Sequence, residues 1–275
     1  MILFGTAGIP RSTPEKTTHA GVERIYELGL GCMEVEFVRG VKMSRDSALK
    51  VREVKERRNI RLTAHAPYFI NLNAKEKEKI LASKERIKDT ARVSKIFGGE
   101  GVVFHPGFYL GDSPEDVYRK IKAILEEIVG ELEEEGNFVT LRPEIMGKES
   151  QFGTLEEIVR LSKELKGVRP CIDFAHLHAR TGAFNTKSEF VKVLEKVEEE
   201  LGREELQDVL IHISGIEYGP QGEKKHLNLP QSDMNYEELL EAFLEKNISG
   251  LIICESPNLE EDALLLKRKW EEISR

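Results

Sequence analysis

Potential metal ligands stand at the ends of short apolar runs throughout the sequence. Histidine ends such a run in LTAHAP, VVFHPG and LIHISG, glutamate does so in LRPEIMG and IICESP, and CIDFAH supplies both aspartate and histidine. The residues concerned are His65, His105, Glu144, Asp173, His176, His212 and Glu255. An apolar run that stops at a polar residue is typical of a buried strand, and side chains at the ends of many strands can converge on one point. Because imidazole and carboxylate together are typical ligands of transition metals, the pattern predicts a metal-centred active site.

The carboxylates among these residues strengthen the metal interpretation. Glu144, Asp173 and Glu255 each follow an apolar strand that would carry them into one enclosed space. Buried carboxylates that face one another repel, and the repulsion is relieved by protonation or by a bound cation. With histidines interleaved between the carboxylates, coordination is the simpler remedy. Mixed nitrogen and oxygen donors favour zinc as the metal, with manganese as the second choice.

An alternation of strands and amphipathic helices must position these ligands. Strands are predicted near residues 2–7, 32–37, 61–66, 101–105, 138–144, 169–174, 209–214 and 250–255, and helices near 14–28, 44–58, 74–97, 113–135, 154–165, 187–201, 235–246 and 258–273. Eight βα units in a chain of this length predict an α/β fold, a closed (β/α)8 TIM barrel that forms a single domain over residues 1–275. The longest loop is expected at residues 215–235. The ligand candidates fall at the carboxyl ends of the strands, where the functional loops of such barrels lie.

Composition places the chain among globular proteins and excludes a membrane-spanning one. Hydrophobic residues make up 40% of the sequence, and no apolar run approaches the roughly 20 residues that a spanning helix needs. The N-terminal residues MILFGTAGIP lead into a strand and show no signal-peptide pattern, so we predict a cytoplasmic protein. Cys32, Cys171 and Cys254 lie in apolar strands and are expected to be reduced. The net charge of −8 argues mildly against a polyanion partner such as nucleic acid. Two or three bound divalent cations would add about +4 to +6 at the site and offset that argument locally.

Taken in order, the strand-end motifs resemble those of endonuclease IV, the multi-zinc apurinic/apyrimidinic endonuclease family within the xylose isomerase-like barrels. The resemblance runs through HAPYFINL (65–72), FHPG (104–107), PEIMGK (143–148), CIDFAH (171–176), IHISG (211–215), HLNL (226–229) and CESP (254–257). It implies two or three zinc ions, whose ligands are His65, His105 and Glu144 for the first, Glu144, Asp173, His212 and Glu255 for the second, and His176 and His226 for the third.

One position departs from the family pattern. The third zinc site of endonuclease IV has an Asp-x-His pair, but Lys224 stands two residues before His226 in this sequence. A charged lysine cannot ligate a metal. Glu223 lies one residue earlier and is the alternative ligand if the backbone adjusts. Lys224 and Lys225 are expected either to contact DNA phosphates or to form a solvated turn.

The resemblance also assigns DNA contacts to residues near the barrel mouth. Tyr68 matches an aromatic residue that lies against the DNA, and the alternative is a packing residue at the start of a loop. Arg39 follows the second strand, as does an arginine that enters the duplex in the family. Arg142 and Lys148 flank the fifth strand end, and they are expected to meet phosphate or to pair with the carboxylates of the second strand.

The activity implied by the resemblance is hydrolysis of DNA on the 5′ side of abasic sites, by a monomer. Glu144 and Glu255 are its expected catalytic residues, since Glu144 bridges two metals and Glu255 orients the attacking hydroxide. An alternative on the same scaffold is a sugar or sugar-phosphate isomerase or epimerase, which needs one or two metals and uses the two glutamates as opposed acid and base. A non-enzymatic metal-binding protein ranks third, because structural zinc sites seldom draw carboxylates from so many strands.

Overall fold

The computed structural model describes residues 1–275 as an alternating series of strands and helices. The strands are β1 (Ile2–Ala7), β2 (Cys32–Glu36), β3 (Arg61–His65), β4 (Gly101–Phe104), β5 (Gly107–Phe108), β6 (Thr140–Pro143), β7 (Gln151–Phe152), β8 (Ile172–Asp173), β9 (Val209–Ile213), β10 (Gly215–Gly219), β11 (Gly222–Leu227) and β12 (Gly250–Cys254). The helices are α1 (Thr18–Glu27), α2 (Arg45–Arg58), α3 (Lys77–Phe97), α4 (Pro114–Glu134), α5 (Leu155–Glu164), α6 (Phe174–Thr181), α7 (Lys187–Leu201), α8 (Tyr236–Glu245) and α9 (Glu260–Ile273).

Eight of the strands form one parallel sheet in the order β6, β4, β3, β2, β1, β12, β9, β8. The two ends of this sheet meet, because the segment in front of β8 pairs with β6. Val168 and Cys171 form parallel bridges to Leu141 and Glu144, and Cys171 N donates to Pro143 O over 3.1 Å. The sheet is therefore a closed TIM barrel, which confirms the predicted fold class.

Local sequence explains where the helices begin and which face they bury, as α4 illustrates. Ser113 caps this helix by accepting a hydrogen bond from Asp116 N over 3.2 Å, and Pro114 occupies the first turn, where its nitrogen needs no partner. Ile121 and Leu125 belong to a helical stripe that is fully buried. Stripes of this kind pack the helices against the outer face of the barrel.

Two segments differ from the prediction. β8 has only two residues, and the chain then enters α6, an additional helix whose first turn is capped by Asp173, since this carboxylate accepts from His176 N over 2.6 Å. Residues 215–235, expected as a loop, contain the antiparallel hairpin of β10 and β11 and a short 3-10 turn. The eight residues of α6 are too few for a helical period to be visible in the sequence. The alternation of the hairpin is interrupted by one extra residue, Lys224.

The amino-terminal end of the barrel is closed by a cluster of arginines and carboxylates. Arg142 is buried in it, donates to a backbone carbonyl over 3.0 Å and lies 3.5 Å from Glu205 Oε1. Arg169 pairs with Glu205 over 2.8 Å and with Asp208 over 2.6 Å. The expectation that Arg142 meets phosphate or the carboxylates of β2 is wrong. It lies two residues before Glu144 on the same inward face, and therefore one layer deeper in the barrel.

The barrel interior also holds two of the three cysteines. Cys32 and Cys171 pack there with Val103 and Leu210 in a small apolar cluster to which most of the barrel strands contribute. All three cysteines, including Cys254, are buried and free, as the sequence predicts. None of the helices has both the length and the apolar character required to cross a membrane.

Candidate metal centre

The predicted ligands come together at the carboxyl end of the barrel, because parallel strands present the same end to one mouth. They are supplied by the ends of six strands, by α6 and by the hairpin: His65 (β3), His105 (after β4), Glu144 (after β6), Asp173 (β8), His176 (α6), His212 (β9), His226 (β11) and Glu255 (after β12). Their donor atoms form three adjoining groups, and within each group the atoms lie within 4.8 Å of one another.

The first group consists of His65, His105 and Glu144. The Nε2 atoms of the two histidines lie 3.2 and 3.1 Å from the same oxygen, Glu144 Oε2. Nδ1 of His65 lies 2.8 Å from Ala66 O and must carry a proton, since a carbonyl oxygen only accepts. In the neutral ring the lone pair of Nε2 then faces a carboxylate, and a proton or a cation between them removes the repulsion. A metal ion fits this arrangement.

The second group consists of Glu144, Asp173, His212 and Glu255. His212 Nδ1 lies 3.5 Å from Glu144 Oε1 and 3.4 Å from Glu255 Oε1. Glu144 Oε1, Asp173 Oδ2 and Nδ1 of His212 are buried without an aligned hydrogen bond. Buried polar atoms almost always have partners, so a cluster of potential metal-ligand atoms without partners fits a bound cation. Glu144 belongs to two groups and turns a different oxygen to each.

The third group consists of His176, Glu223 and His226. Nδ1 of His176 and Nδ1 of His226 lie 3.0 and 3.3 Å from backbone carbonyl oxygens, to which the rings donate. Their Nε2 atoms are 3.3 Å apart and therefore turn two lone pairs towards the same space. Glu223 Oε2 lies 3.6 Å from Nε2 of His176. A shared cation fits this geometry, with Glu223 as the carboxylate donor.

A β-bulge explains why Glu223, and not Lys224, faces the histidines. Tyr218 of β10 pairs with Glu223, whereas the residue before Tyr218 pairs with Lys225, so Lys224 is an extra residue on β11. In a regular strand, residues 224 and 226 would share a face. The extra residue shifts the alternation by one and moves Glu223 to the face of His226.

Two contacts hold the hairpin over the barrel mouth. Its tip docks on the loop after β6, where Glu223 N donates to Gly147 O over 2.9 Å. A Cβ atom on Gly147 would lie 2.8 Å from Cβ of Glu223 and 3.0 Å from Cδ2 of His176, so the approach requires glycine. On the other side, Tyr218 OH donates to Asp233 Oδ2 over 2.7 Å, and the same oxygen lies 3.3 Å from a buried histidine of α6. These contacts position the third group.

The side chains of the centre strongly alter one another's pKa values. Burial by itself would raise the pKa of Glu144, but the neighbouring histidines, His105 first, hold it well below its usual range. Burial raises the pKa of Asp173 to about 7. Burial would lower the pKa of His65, yet its hydrogen bond to Glu144 and the surrounding carboxylates raise it to about 10. Side chains that share protons in this way release them when a cation binds.

The residues predicted to contact DNA lie on the surface around the mouth. Tyr68 is 48% exposed and stacks on His105, with the ring centroids 5.6 Å apart. Arg39 is exposed in the turn after β2. Lys224 and Lys225 are exposed on the hairpin, where both lie within 3.7 Å of Glu217. The structure thus brings Tyr68 against the first group and leaves the three cations exposed, Arg39 in a turn and Lys224 and Lys225 on β11.

Two carboxylates near the centre are not among the predicted ligands. Glu34 lies within β2 and is fully buried, with Oε1 3.0 Å from His212 Nε2. Burial would raise its pKa, but His212 holds the pKa below the usual range. Glu36, two residues further on the same face, has its pKa raised to about 8 by burial. The alternation in CMEVEF is the signal that places both side chains inside the barrel.

The closed barrel and its three donor groups define the class of protein, a TIM barrel with a candidate metal centre at the carboxyl ends of its strands. The chain belongs to the xylose isomerase-like TIM barrel family, whose model matches residues 22–272.

The proteins that resemble this chain carry different names. The uncharacterized protein MJ0133 of Methanocaldococcus jannaschii is 46% identical over 274 residues, which are 99% of this chain and 98% of the relative. A protein of Geobacillus sp. named probable endonuclease 4 is 27% identical over 60% of this chain and 54% of its own length. Among solved structures, endonuclease IV of Thermus thermophilus superposes with a TM-score of 0.75, at 22% identity over 97% of this chain and 98% of the other. A D-tagatose 3-epimerase-like protein superposes with a TM-score of 0.74, at 21% identity over 98% of this chain and 97% of the other. The shared fold does not choose between these activities.

Proposed function

We propose that the chain is a metal-dependent DNA repair endonuclease of the endonuclease IV type, which hydrolyses the phosphodiester on the 5′ side of abasic sites. The observation that carries the proposal is the third donor group, His176, Glu223 and His226, which adjoins the two groups shared by Glu144. Three donor groups could hold three metal ions, whereas an isomerase on this scaffold is expected to need one or two. The relative named probable endonuclease 4 supports the same activity.

The donor set fits two or three zinc ions, with manganese as the alternative, because it mixes imidazole nitrogen with carboxylate oxygen. Metal ions held there would supply an activated water and neutralise charge on the phosphate. Glu144 fixes the first two groups relative to each other, since each of its oxygens faces one of them. Glu255 is the better placed base, because 12% of its side chain is exposed at the mouth against 1% for Glu144. We assign to Glu255 the proton of the attacking water.

Side chains around the mouth provide the means to hold a nucleic acid. The exposed face of Tyr68 can stack against a base or sugar ring, because its other face is covered by His105. Arg39, Lys224 and Lys225 are the exposed cations that we assign to phosphate contacts. An abasic nucleotide must leave the duplex stack to reach the donor groups. We further infer that the protein is a monomer and that it is cytoplasmic; the free, buried cysteines support the reducing compartment.

Incision of a defined duplex tests the proposal. The protein is loaded with zinc, its metal content is measured, and it is incubated with a duplex that carries one tetrahydrofuran analogue of an abasic site. We expect two to three zinc ions per chain and a single cut that leaves a 3′-hydroxyl which a polymerase can extend. The same duplex without the lesion is the control. Intact lesion-bearing DNA after incubation with both the zinc-loaded and the manganese-loaded protein would refute the proposal.

A sugar or sugar-phosphate isomerase or epimerase is the second candidate, and one arrangement favours it. Glu144 and Glu255 approach the same atom, His212 Nδ1, at 3.5 and 3.4 Å, so two carboxylates border one small space. Such a pair can serve as acid and base on a bound sugar. The net charge of −8 also suits a small substrate better than DNA. Isomerisation of a free ketose without DNA incision would establish this candidate.

A further inference from the structure

We propose that Glu34 is a positioning residue of the second donor group, which keeps the proton of His212 on Nε2 and so presents the lone pair of Nδ1 to the metal. The inference rests on the metal centre of the proposed function, but it does not depend on the substrate. Glu34 is not a strand-end residue and belongs to none of the three donor groups.

The contact between Glu34 and His212 crosses the interior of the barrel. Their strands, β2 and β9, are not neighbours, because β1 and β12 lie between them in the sheet. Oε1 of Glu34 lies 3.0 Å from Nε2 of His212, and neither side chain has any exposed surface. A buried carboxylate is costly unless a partner compensates it. Nε2 of His212 is the cationic or hydrogen-bonding partner available to that oxygen.

The two nitrogens of His212 face different surroundings. Nε2 faces Glu34, whereas Nδ1 faces the donor group at 3.5 Å from Glu144 and 3.4 Å from Glu255. A neutral imidazole has a proton on only one nitrogen. The negative charge of Glu34, 3.0 Å from Nε2, favours the proton on that nitrogen, which leaves the lone pair on Nδ1 on the side of Glu144 and Glu255. In the first group a backbone carbonyl holds the Nδ1 proton of His65 in the same way.

Glu34 is itself held in place by the neighbouring strand. Its second oxygen, Oε2, accepts a hydrogen bond from Thr63 Oγ1 over 2.7 Å. Thr63 is the register partner of Glu34 across β2 and β3, so the donor is fixed by the sheet itself. Thr63, Glu34 and His212 therefore form one buried chain of contacts that ends at the donor group. Outer partners of this kind orient a ligand ring and raise its basicity.

Glu34→Gln tests the proposal, because glutamine keeps the volume and one acceptor oxygen but removes the charge. We expect the variant to fold, by circular dichroism, and to bind zinc at the second group about 10- to 100-fold more weakly. One equivalent of zinc should then pass to a competing chelator before the others. Cobalt provides a second readout, since the visible absorption of Co²⁺ bound at this group should change in the variant. Glu205→Gln is the matched control, because Glu205 is also buried but lies at the other end of the barrel.

A double-mutant cycle separates positioning from general stabilisation. If Glu34 acts through His212, Glu34→Gln adds no further loss of zinc affinity in a His212→Asn background. Equal losses in both backgrounds, or zinc affinity of Glu34→Gln equal to that of the wild type, would overturn the proposal. Thr63→Val should weaken zinc binding by a smaller factor, and it provides the same measurement if Glu34→Gln does not fold.

The outcome for Glu34 is distinguishable from the outcome for the proposed function. The zinc and cobalt measurements contain no nucleic acid, so they decide the role of Glu34 even if the wild-type protein leaves abasic DNA intact. A wild-type protein that binds no divalent metal at the barrel mouth would refute both.

Discussion

Glu144 connects the first two donor groups through a single side chain. Oε2 lies 3.1 Å from His105, and Oε1 lies 3.5 Å from His212 on the other side. A substitution at this residue would disturb both groups together, so it cannot separate binding from catalysis. Glu255 belongs to one group only and is partly exposed. Its substitution disturbs the second group alone, so it is the better residue at which to test a catalytic role, with zinc content measured alongside.

Glu255→Gln is predicted to abolish incision while the fold is retained. The amide occupies the same volume but cannot take a proton from water, so kcat should fall by about 10²- to 10⁴-fold, the usual contribution of a general base. The rate is measured on a duplex with one abasic site, and thermal unfolding serves as the control for folding. Incision within a few fold of the wild-type rate would show that another residue takes the proton.

Glu223 and Lys224 form a matched pair for testing the third donor group. Glu223→Gln removes a carboxylate that lies 3.6 Å from His176, so the bound zinc should fall by about one equivalent per chain. Lys224→Gln changes an exposed neighbour on the same strand and should leave the zinc content unchanged. Metal content is determined by plasma mass spectrometry after dialysis. Equal zinc contents in the two variants would remove Glu223 from the ligand set.

At the scale of elements, strand ends were predictable and irregular segments were not. His65, His105 and His212 follow apolar runs whose boundaries are visible in the sequence, and the parallel barrel brings such ends together. The sequence predicts Glu223 as a ligand only if the backbone adjusts, because a one-residue bulge reverses the alternation and leaves no compositional trace. The contact of Glu34 with His212 is not predictable from sequence, because Glu34 lies within a strand and its partner is fixed only by tertiary contacts across the barrel.

Deletion of Lys224 is predicted to preserve the third donor group. The deletion removes the extra residue of β11, so Glu223 would stand two positions before His226 in a regular strand, with both side chains on one face. Zinc content should remain at the wild-type level, and the backbone amides of the hairpin should be at least as well protected from hydrogen exchange. Lys224→Gln, which keeps the extra residue of the hairpin, is the control. Loss of one zinc equivalent in the Lys224 deletion would mean that the bulge itself is needed to place Glu223.

At the scale of the whole molecule, the two ends of the barrel serve different purposes. The carboxyl end gathers histidines and carboxylates that bring little stability by themselves, because they repel or require protons. The amino end is closed by arginines paired with carboxylates, among them Asp208, which lies 2.7 Å from Arg61 and 2.6 Å from Arg169. We therefore expect charge substitutions at the amino end to affect folding rather than metal binding.

Asp208→Asn is predicted to lower stability at neutral pH and to have no effect in acid. Burial would raise the pKa of Asp208, but hydrogen bonds from Arg61 and Arg169 and the charge of Arg142 hold the pKa below its usual range. The stabilisation is therefore complete above the unfolded-state pKa of about 3.9 and is lost as the pH falls through the folded-state pKa. Because the side chain is 41% exposed, solvent screening limits the loss at pH 7 to about 1 kcal/mol.

Urea unfolding at pH 7 and at steps down to about pH 3 measures this difference in free energy of unfolding. Glu149→Gln, at an exposed position, is the control, and its difference in stability from the wild type should be small at every pH. A loss of stability in Asp208→Asn that is the same at every pH would assign its cause to packing instead of charge.

The extra residue in β11 also affects how the chain should be compared with its relatives. A sequence alignment that counts two residues back from His226 places Lys224 at the position of the carboxylate ligand. Such an alignment suggests that a metal site has been lost. An alignment by strand face places Glu223 there, because Glu223 and His226 share a side of the hairpin. A single insertion or deletion in such a hairpin can thus exchange one ligand residue for another without changing the chemistry of the site. In this family, the presence of a ligand is better judged from structure-based columns than from sequence spacing.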